Sequence, residues 1–262
     1  MNDSAVFSVV SLAAFLVTSG LLALGFKETR KHRLFSRLGY LMFLVGTLSA
    51  TVLALKTQTS SYLFASAVCW ATIISWFVWH LEIVGAFTAP VIALTLMYGI
   101  FFSPISSPSV SHDLGPAMRI HVASAIIGQS FAVVACGISL LFIWLDKKLK
   151  KRQLTDLPQS FPAISNLTNA LNIALWIGFA FISLGLVSGA LYFLVGSVPS
   201  EMNIMPKVIW AVLVWLWYLS ILALKGILSY RPQRVARLSL IGFALLAVSW
   251  FGLIFVAPWR PL

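Results

Sequence analysis

Eight stretches of nearly unbroken apolar residues run through the chain, at about 5–26, 35–55, 62–80, 84–103, 121–145, 170–196, 207–228 and 235–257. Each is close to the roughly 20 residues that an α-helix needs to cross a hydrocarbon core about 30 Å thick. The polar segments between them are short. The pattern predicts an all-α, polytopic membrane bundle of about eight transmembrane helices, with residues 1–262 forming a single integral membrane domain. The least polar break is "WHLEIVG", between the third and fourth runs. "SPISSPSVSHDLGPAMR" is rich in Pro and Ser and predicts an irregular connection rather than another span. "MNDSAVFSVV" lacks a basic segment ahead of its apolar run, so the first helix is expected to be retained rather than cleaved as a signal.

Composition sharpens this reading. Hydrophobic residues make up 60% of the chain and charged ones 10%, with a mean hydropathy of +0.96. Soluble domains carry about 25% charged residues, so this much apolar surface requires lipid around it. The net charge of +11 does not point to nucleic acid, because the basic residues cluster between the apolar runs. Lys27, Arg30, Lys31, Arg33 and Arg37 flank the first connection, and Lys147, Lys148, Lys150, Lys151 and Arg152 the fifth. Lys225, Arg231, Arg234 and Arg237 lie around the seventh. These connections share one side of an eight-helix chain, leaving only Lys56, Arg119, Lys207 and Arg260 for the other. By the positive-inside rule the basic loops are cytoplasmic and both termini lie outside. The first half of "DKKLKKRQLTDLPQSFPAISNLTN" is accounted for by attraction to anionic lipid headgroups alone.

This topology puts His112 and His121 on the outer side and His32 and His80 on the inner side. His121 opens the fifth apolar run. An imidazole there can coordinate a transition metal such as haem iron, or it can be an interfacial histidine bonded to a loop carbonyl. On the seventh run, Trp210, Val214, Trp217, Tyr218, Ile221 and Lys225 share a helical face. That face can shelter a flat apolar cofactor or serve as packing. Lys207 and Lys225 fit snorkelling to opposite headgroup layers. "GLVSGALY", with Gly185, Ser188 and Gly189, reads as a close helix–helix contact. Trp70, Trp76 and Trp79 of the third run either line the interior or anchor in the interface. The sequence offers no CxxC, HExxH, phosphate-binding loop, paired carboxylates or nucleophile motif.

Taken in order, "HVASAIIGQSFAVVACGISLLFIWLDKKLK", "GLVSGALY", "PKVIWAVLVW" and "RPQRVARLSLIGF" resemble the cytochrome c assembly membrane-protein family. The likeness is most specific over 115–255 and is closest to the shorter HemX-type members found near tetrapyrrole genes. The resemblance implies that His121 stands where synthase members carry an outward haem-ligating histidine. The chain departs from those members elsewhere. "LVGSVPSEMNIMPK" replaces their tryptophan-rich loop. A histidine late in the seventh helix would fall near Ala223, and a second outward one near "APWRPL".

The resemblance therefore implies a non-enzymatic protein of the bacterial inner (plasma) membrane, acting in haem supply or cytochrome c maturation. It would bind haem non-covalently on its outer side, with His121 as the first contact and His112 as a candidate for the other axial position. Trp210, Trp217 and Tyr218 would form an apolar wall. Expected partners are the lipid bilayer, haem, and cytochrome c maturation or tetrapyrrole-synthesis proteins. Two other readings stay open: a small permease component for a metal or tetrapyrrole precursor, and a scaffold that holds a tetrapyrrole-synthesis enzyme through its basic inner loops.

Overall fold

The computed structural model describes residues 3–27, 32–57, 59–79, 81, 84–102, 115–151, 162–195, 205–228 and 231–256. They form eight helices: α1 (Asp3–Lys27), α2 (His32–Thr57), α3 (Ser60–Trp79), α4 (Val84–Phe102), α5 (Pro116–Lys150), α6 (Ile164–Val195), α7 (Met205–Leu228) and α8 (Pro232–Val256). Among the described residues, six helices are long and apolar enough to cross a membrane. Large apolar side chains stand exposed along them, including Leu48, Phe77, Leu194 and Ile227. Only a lipid surrounding makes such exposure favourable. The molecule is a polytopic helical membrane bundle.

Helices extend beyond the apolar runs that reveal them. α5 starts at Pro116, behind an N-cap at Gly115; proline suits a first helical position because its missing N–H has no intrahelical partner there. His121 consequently sits in the second turn of α5, not at the helix start that its apolar run indicates. At the other end, Lys147, Lys148 and Lys150 complement the carbonyl terminus. α6 begins six residues before position 170, in the polar segment "ISNLTN". The apolar run marks the part that lipid requires, while backbone hydrogen bonding carries the helix further into the interface.

The bundle consists of two four-helix halves with one pairing pattern. In each, the first helix packs most extensively on the second and also on the fourth, and neighbours in sequence pack on each other. One core lies among α1–α4, around Phe15, Leu53, Ile92 and Leu96. The other lies among α5–α8, around Ile138, Leu141, Leu171 and Tyr218. α5 joins the halves by packing on α3 and α4. A glycine lets α2 close on α1 in the first half: a Cβ on Gly46 would come within 2.9 Å of the Phe15 ring.

Buried hydroxyls are mostly bonded, as a hydrocarbon surrounding demands. Ser11 and Ser49 lie 2.7 Å apart between α1 and α2, and Thr72 donates to Thr88 at 3.2 Å between α3 and α4. Trp70 of α3 is partly exposed and donates to Thr51 of α2 at 3.2 Å, while Trp76 stacks on Tyr40 with ring centroids 4.6 Å apart. Both tie α3 to α2. Gln233, at the start of α8, donates to Asp146 of α5 at 2.9 Å, and Lys150 bonds the other Asp146 oxygen at 2.8 Å.

Candidate functional site

His121 is half-buried at the seam between α5 and α6. Positions one turn apart on α5 (His121, Ala125, Gly128) meet positions one turn apart in reverse on α6 (Gly189, Gly185, Ile182). Small residues allow this closeness: a Cβ on Gly128 would lie 2.8 Å from the Ile182 backbone nitrogen, and one on Gly185 3.2 Å from Ser124 Oγ. Within this seam His121 Nδ1 lies 2.7 Å from the Gly185 carbonyl oxygen. A carbonyl only accepts, so Nδ1 is the donor, and the neutral ring keeps its lone pair on Nε2. An imidazole whose Nδ1–H is held by a carbonyl has the arrangement of a metal-ligating histidine. His121 can act chemically as a one-nitrogen ligand.

The aromatic residues of α7 take another direction. Tyr218 is buried in the α5–α8 core, and Val214 and Ile221 are buried on the same face, so the helical face read from spacing is the packed one. Trp210 donates to the Leu245 carbonyl at 3.2 Å, and Trp217 to the Leu238 carbonyl at 3.1 Å. Both acceptors are on α8. Trp215, which the spacing argument passed over, reaches Ser183 of α6 at 2.8 Å. Three indole N–H groups thus stitch α7 to its two neighbours. The structure brings Trp210, Trp217 and Tyr218 together on one face and gives His121 its hydrogen-bond partner on α6. His112 lies outside the described residues. Among those described, no three His, Cys, Asp or Glu side chains come together as a metal site.

A separate cleft of about 170 Å³ opens where α4 and α8 flank α5. Phe64, Val91, Leu94, Gln129, Val133 and Phe243 are among its lining residues. Pro90 lies in the adjoining turn of α4. No spacing signal pointed to this cleft, because its walls are assembled from four different helices, α3, α4, α5 and α8.

The sequence profile of the family described as "Cytochrome C assembly protein" matches residues 57–258, which takes in α3 to α8. The chain belongs to the cytochrome c assembly protein family. The match reaches further toward the N-terminus than the 115–255 stretch in which the motifs stand. Among curated relatives, "Cytochrome c biogenesis protein CcsA" of Prochlorococcus marinus (strain MIT 9312) is 26% identical over 66% of this chain and 63% of its own length. The protein of the same name from Guillardia theta is 24% identical over 68% of this chain and 65% of its own. The one from Chlamydomonas reinhardtii is 26% identical over 65% of this chain and 47% of its own. The matched part of the chain thus corresponds to less than two thirds of these relatives. No solved structure matches the chain. It is a multi-pass membrane protein of a cytochrome c assembly family.

The seam also explains "GLVSGALY" more fully than close packing does. Gly185 supplies the acceptor for His121, and the ring rests against Gly189. The separation of 64 positions between His121 and Gly185 leaves no local signal of that pairing.

Proposed function

We propose that this protein handles haem during cytochrome c assembly, binding it non-covalently on the outer side of a bacterial inner membrane without itself being an enzyme. Family membership supports the process, and one observation carries the site: the His121–Gly185 hydrogen bond that leaves Nε2 as the basic nitrogen. When bound, haem would bring an iron centre able to accept an imidazole nitrogen. His121 would hold the iron, with His112 as the candidate second ligand; the Trp210, Trp217 and Tyr218 face of α7, read from spacing as an apolar wall, is instead taken up by packing in the α5–α8 core and by bonds to α8. The loop "LVGSVPSEMNIMPK" contains no tryptophan with which to present a haem for covalent attachment. That supports a shorter, HemX-type role in supply or holding rather than synthesis. The concentration of Lys and Arg in alternate loops supports cytoplasmic placement of those loops.

Haem titration of the detergent-purified protein, followed by its visible absorption, tests this reading. The wild-type protein should develop a Soret band that weakens or shifts in His121→Ala. Equal spectra from the two folded proteins would remove His121 from the site, and no band in either would remove haem.

The cleft beside Pro90 favours one second reading, a small permease component for a tetrapyrrole precursor. Leu94→Trp should then abolish precursor movement into proteoliposomes while sparing the His121-dependent spectrum. Unchanged movement in that variant would exclude the cleft as the route.

A further inference from the structure

We infer that α6 is the positioning element of His121: the Gly185 carbonyl selects the basic ring nitrogen, and the bare Cα of Gly189 sets the direction in which that nitrogen points. The inference deepens the haem-ligand reading and rests on it for its function, but its physical content concerns the imidazole before any ligand arrives.

Two independent contacts define the ring. The first is the 2.7 Å hydrogen bond from Nδ1 to the Gly185 oxygen. That oxygen belongs to the interior of α6, where it also serves the N–H four residues on, so its place is fixed by the helix and not by a loop. The second is steric. A Cβ built on Gly189 would lie 2.7 Å from Nδ1 and 2.9 Å from Cε1, but 3.5 Å from Cγ. The Nδ1–Cε1 edge therefore faces α6, and a hydrogen at position 189 is all that the edge allows. With that edge turned inward, Nε2 and Cδ2 lie on the side of the ring away from the hydrogen bond. The serines beside it are engaged with their own helices: Ser124 Oγ is 2.6 Å from the Ile120 oxygen, and Ser188 Oγ is 2.7 Å from the Leu184 oxygen. Ser188 Oγ also lies 3.1 Å from the Gly185 oxygen itself, but its shorter bond is to Leu184, and neither serine bonds Nδ1.

Gly189→Ala is the informative substitution. The atoms in its way belong to a side chain that can rotate, whereas those facing Gly128 include Ile182 backbone. The added methyl should swing the imidazole off Gly185 and release the choice of tautomer while the helix pair stays together. Gly178→Ala serves as the comparison. Its Cβ would meet the Gly128 carbonyl at 3.3 Å, straining the same seam roughly 16 Å along the helix without approaching His121.

The test is ¹⁵N NMR of the apo protein labelled at histidine, at a pH where the rings are neutral, with His121 assigned by its loss in His121→Gln. The wild type should show His121 protonated at Nδ1 and bare at Nε2. Gly178→Ala should keep that pattern, and Gly189→Ala should show a mixture of both tautomers. Titration with haem should then give about tenfold or more weaker binding in Gly189→Ala, the usual scale for loss of an orienting partner. A wild-type His121 protonated at Nε2 overturns the inference, and that spectrum decides the matter even if Gly189→Ala does not fold. An unchanged tautomer in Gly189→Ala overturns it too, as does an equal change in Gly178→Ala, which would reduce Gly189 to a packing residue. A fixed Nδ1–H tautomer with no His121-dependent haem signal leaves the positioning intact and sinks the haem reading instead.

Discussion

At the scale of single residues, Tyr218 separates packing from polarity most cleanly. Its ring is among the largest fully buried side chains, yet its hydroxyl has no hydrogen-bond partner among the described residues. Tyr218→Phe should leave stability unchanged or raise it by about 1 kcal/mol, since an unpaired buried hydroxyl is a cost. Tyr218→Ala should lower it by about 3–5 kcal/mol, because the cavity adds to the lost transfer energy. Unfolding in SDS, followed by tryptophan fluorescence, measures both; a loss in Tyr218→Phe comparable to that in the Ala variant would show that the hydroxyl is bonded. The residue types were legible in the sequence: His121 as a possible ligand, Tyr218 and Trp217 on one face of α7. Their partners were not. A hydrogen bond from an indole to a carbonyl of another helix leaves no trace in spacing, and Trp215, off the predicted face, is bonded as well as the two tryptophans on it.

At the scale of helices, two kinds of contact hold the second half together. Between α5 and α6 the contact is backbone against backbone. Gly128→Leu should therefore be among the most damaging substitutions, because its side chain meets the Ile182 nitrogen and the Gly178 oxygen and neither can rotate away. Overpacking of this kind costs about 1–3 kcal/mol, to be read as a loss of folded protein after extraction and a lower midpoint in SDS. Normal yield and midpoint would mean that the helices are further apart than the structure places them. Between α7 and α8 the contact relies on the Trp210 and Trp217 N–H groups. Interhelical hydrogen bonds in membranes average about 0.6 kcal/mol. Trp210→Phe and Trp217→Phe together should cost about 1 kcal/mol, adding nearly independently because the two are about 10 Å apart along the helix. A double variant no less stable than the wild type would argue against these bonds.

At the scale of the whole molecule, the arrangement of charge makes a directional prediction. Cys69 and Cys136 are free and buried, so a membrane-impermeant maleimide should find little to react with in the native chain. Met205→Cys at the start of α7 should be labelled in intact cells, and Lys150→Cys at the end of α5 only after the membrane is opened. The reverse pattern would invert the topology and remove His121 from the outer side. The two-half construction bears on this scale as well. Each half has four helices, an even number, so where every helix crosses the membrane the repeated pairing pattern runs in the same orientation in both halves.

Membrane residence, the number of helices and the clustering of charge were all determined by the sequence alone, because each is a property of the chain in one dimension. A bilayer admits only apolar runs of sufficient length, and the cost of translocating Lys and Arg sorts the loops between them. The place of His121 was decided elsewhere. It depends on how deeply α5 sinks into α6, which small residues permit but do not number, and on the antiparallel register that sets His121 opposite Gly189. Van der Waals contact between helices has no local code, so only the folded bundle turns an interfacial histidine into one with a chosen tautomer and a chosen direction.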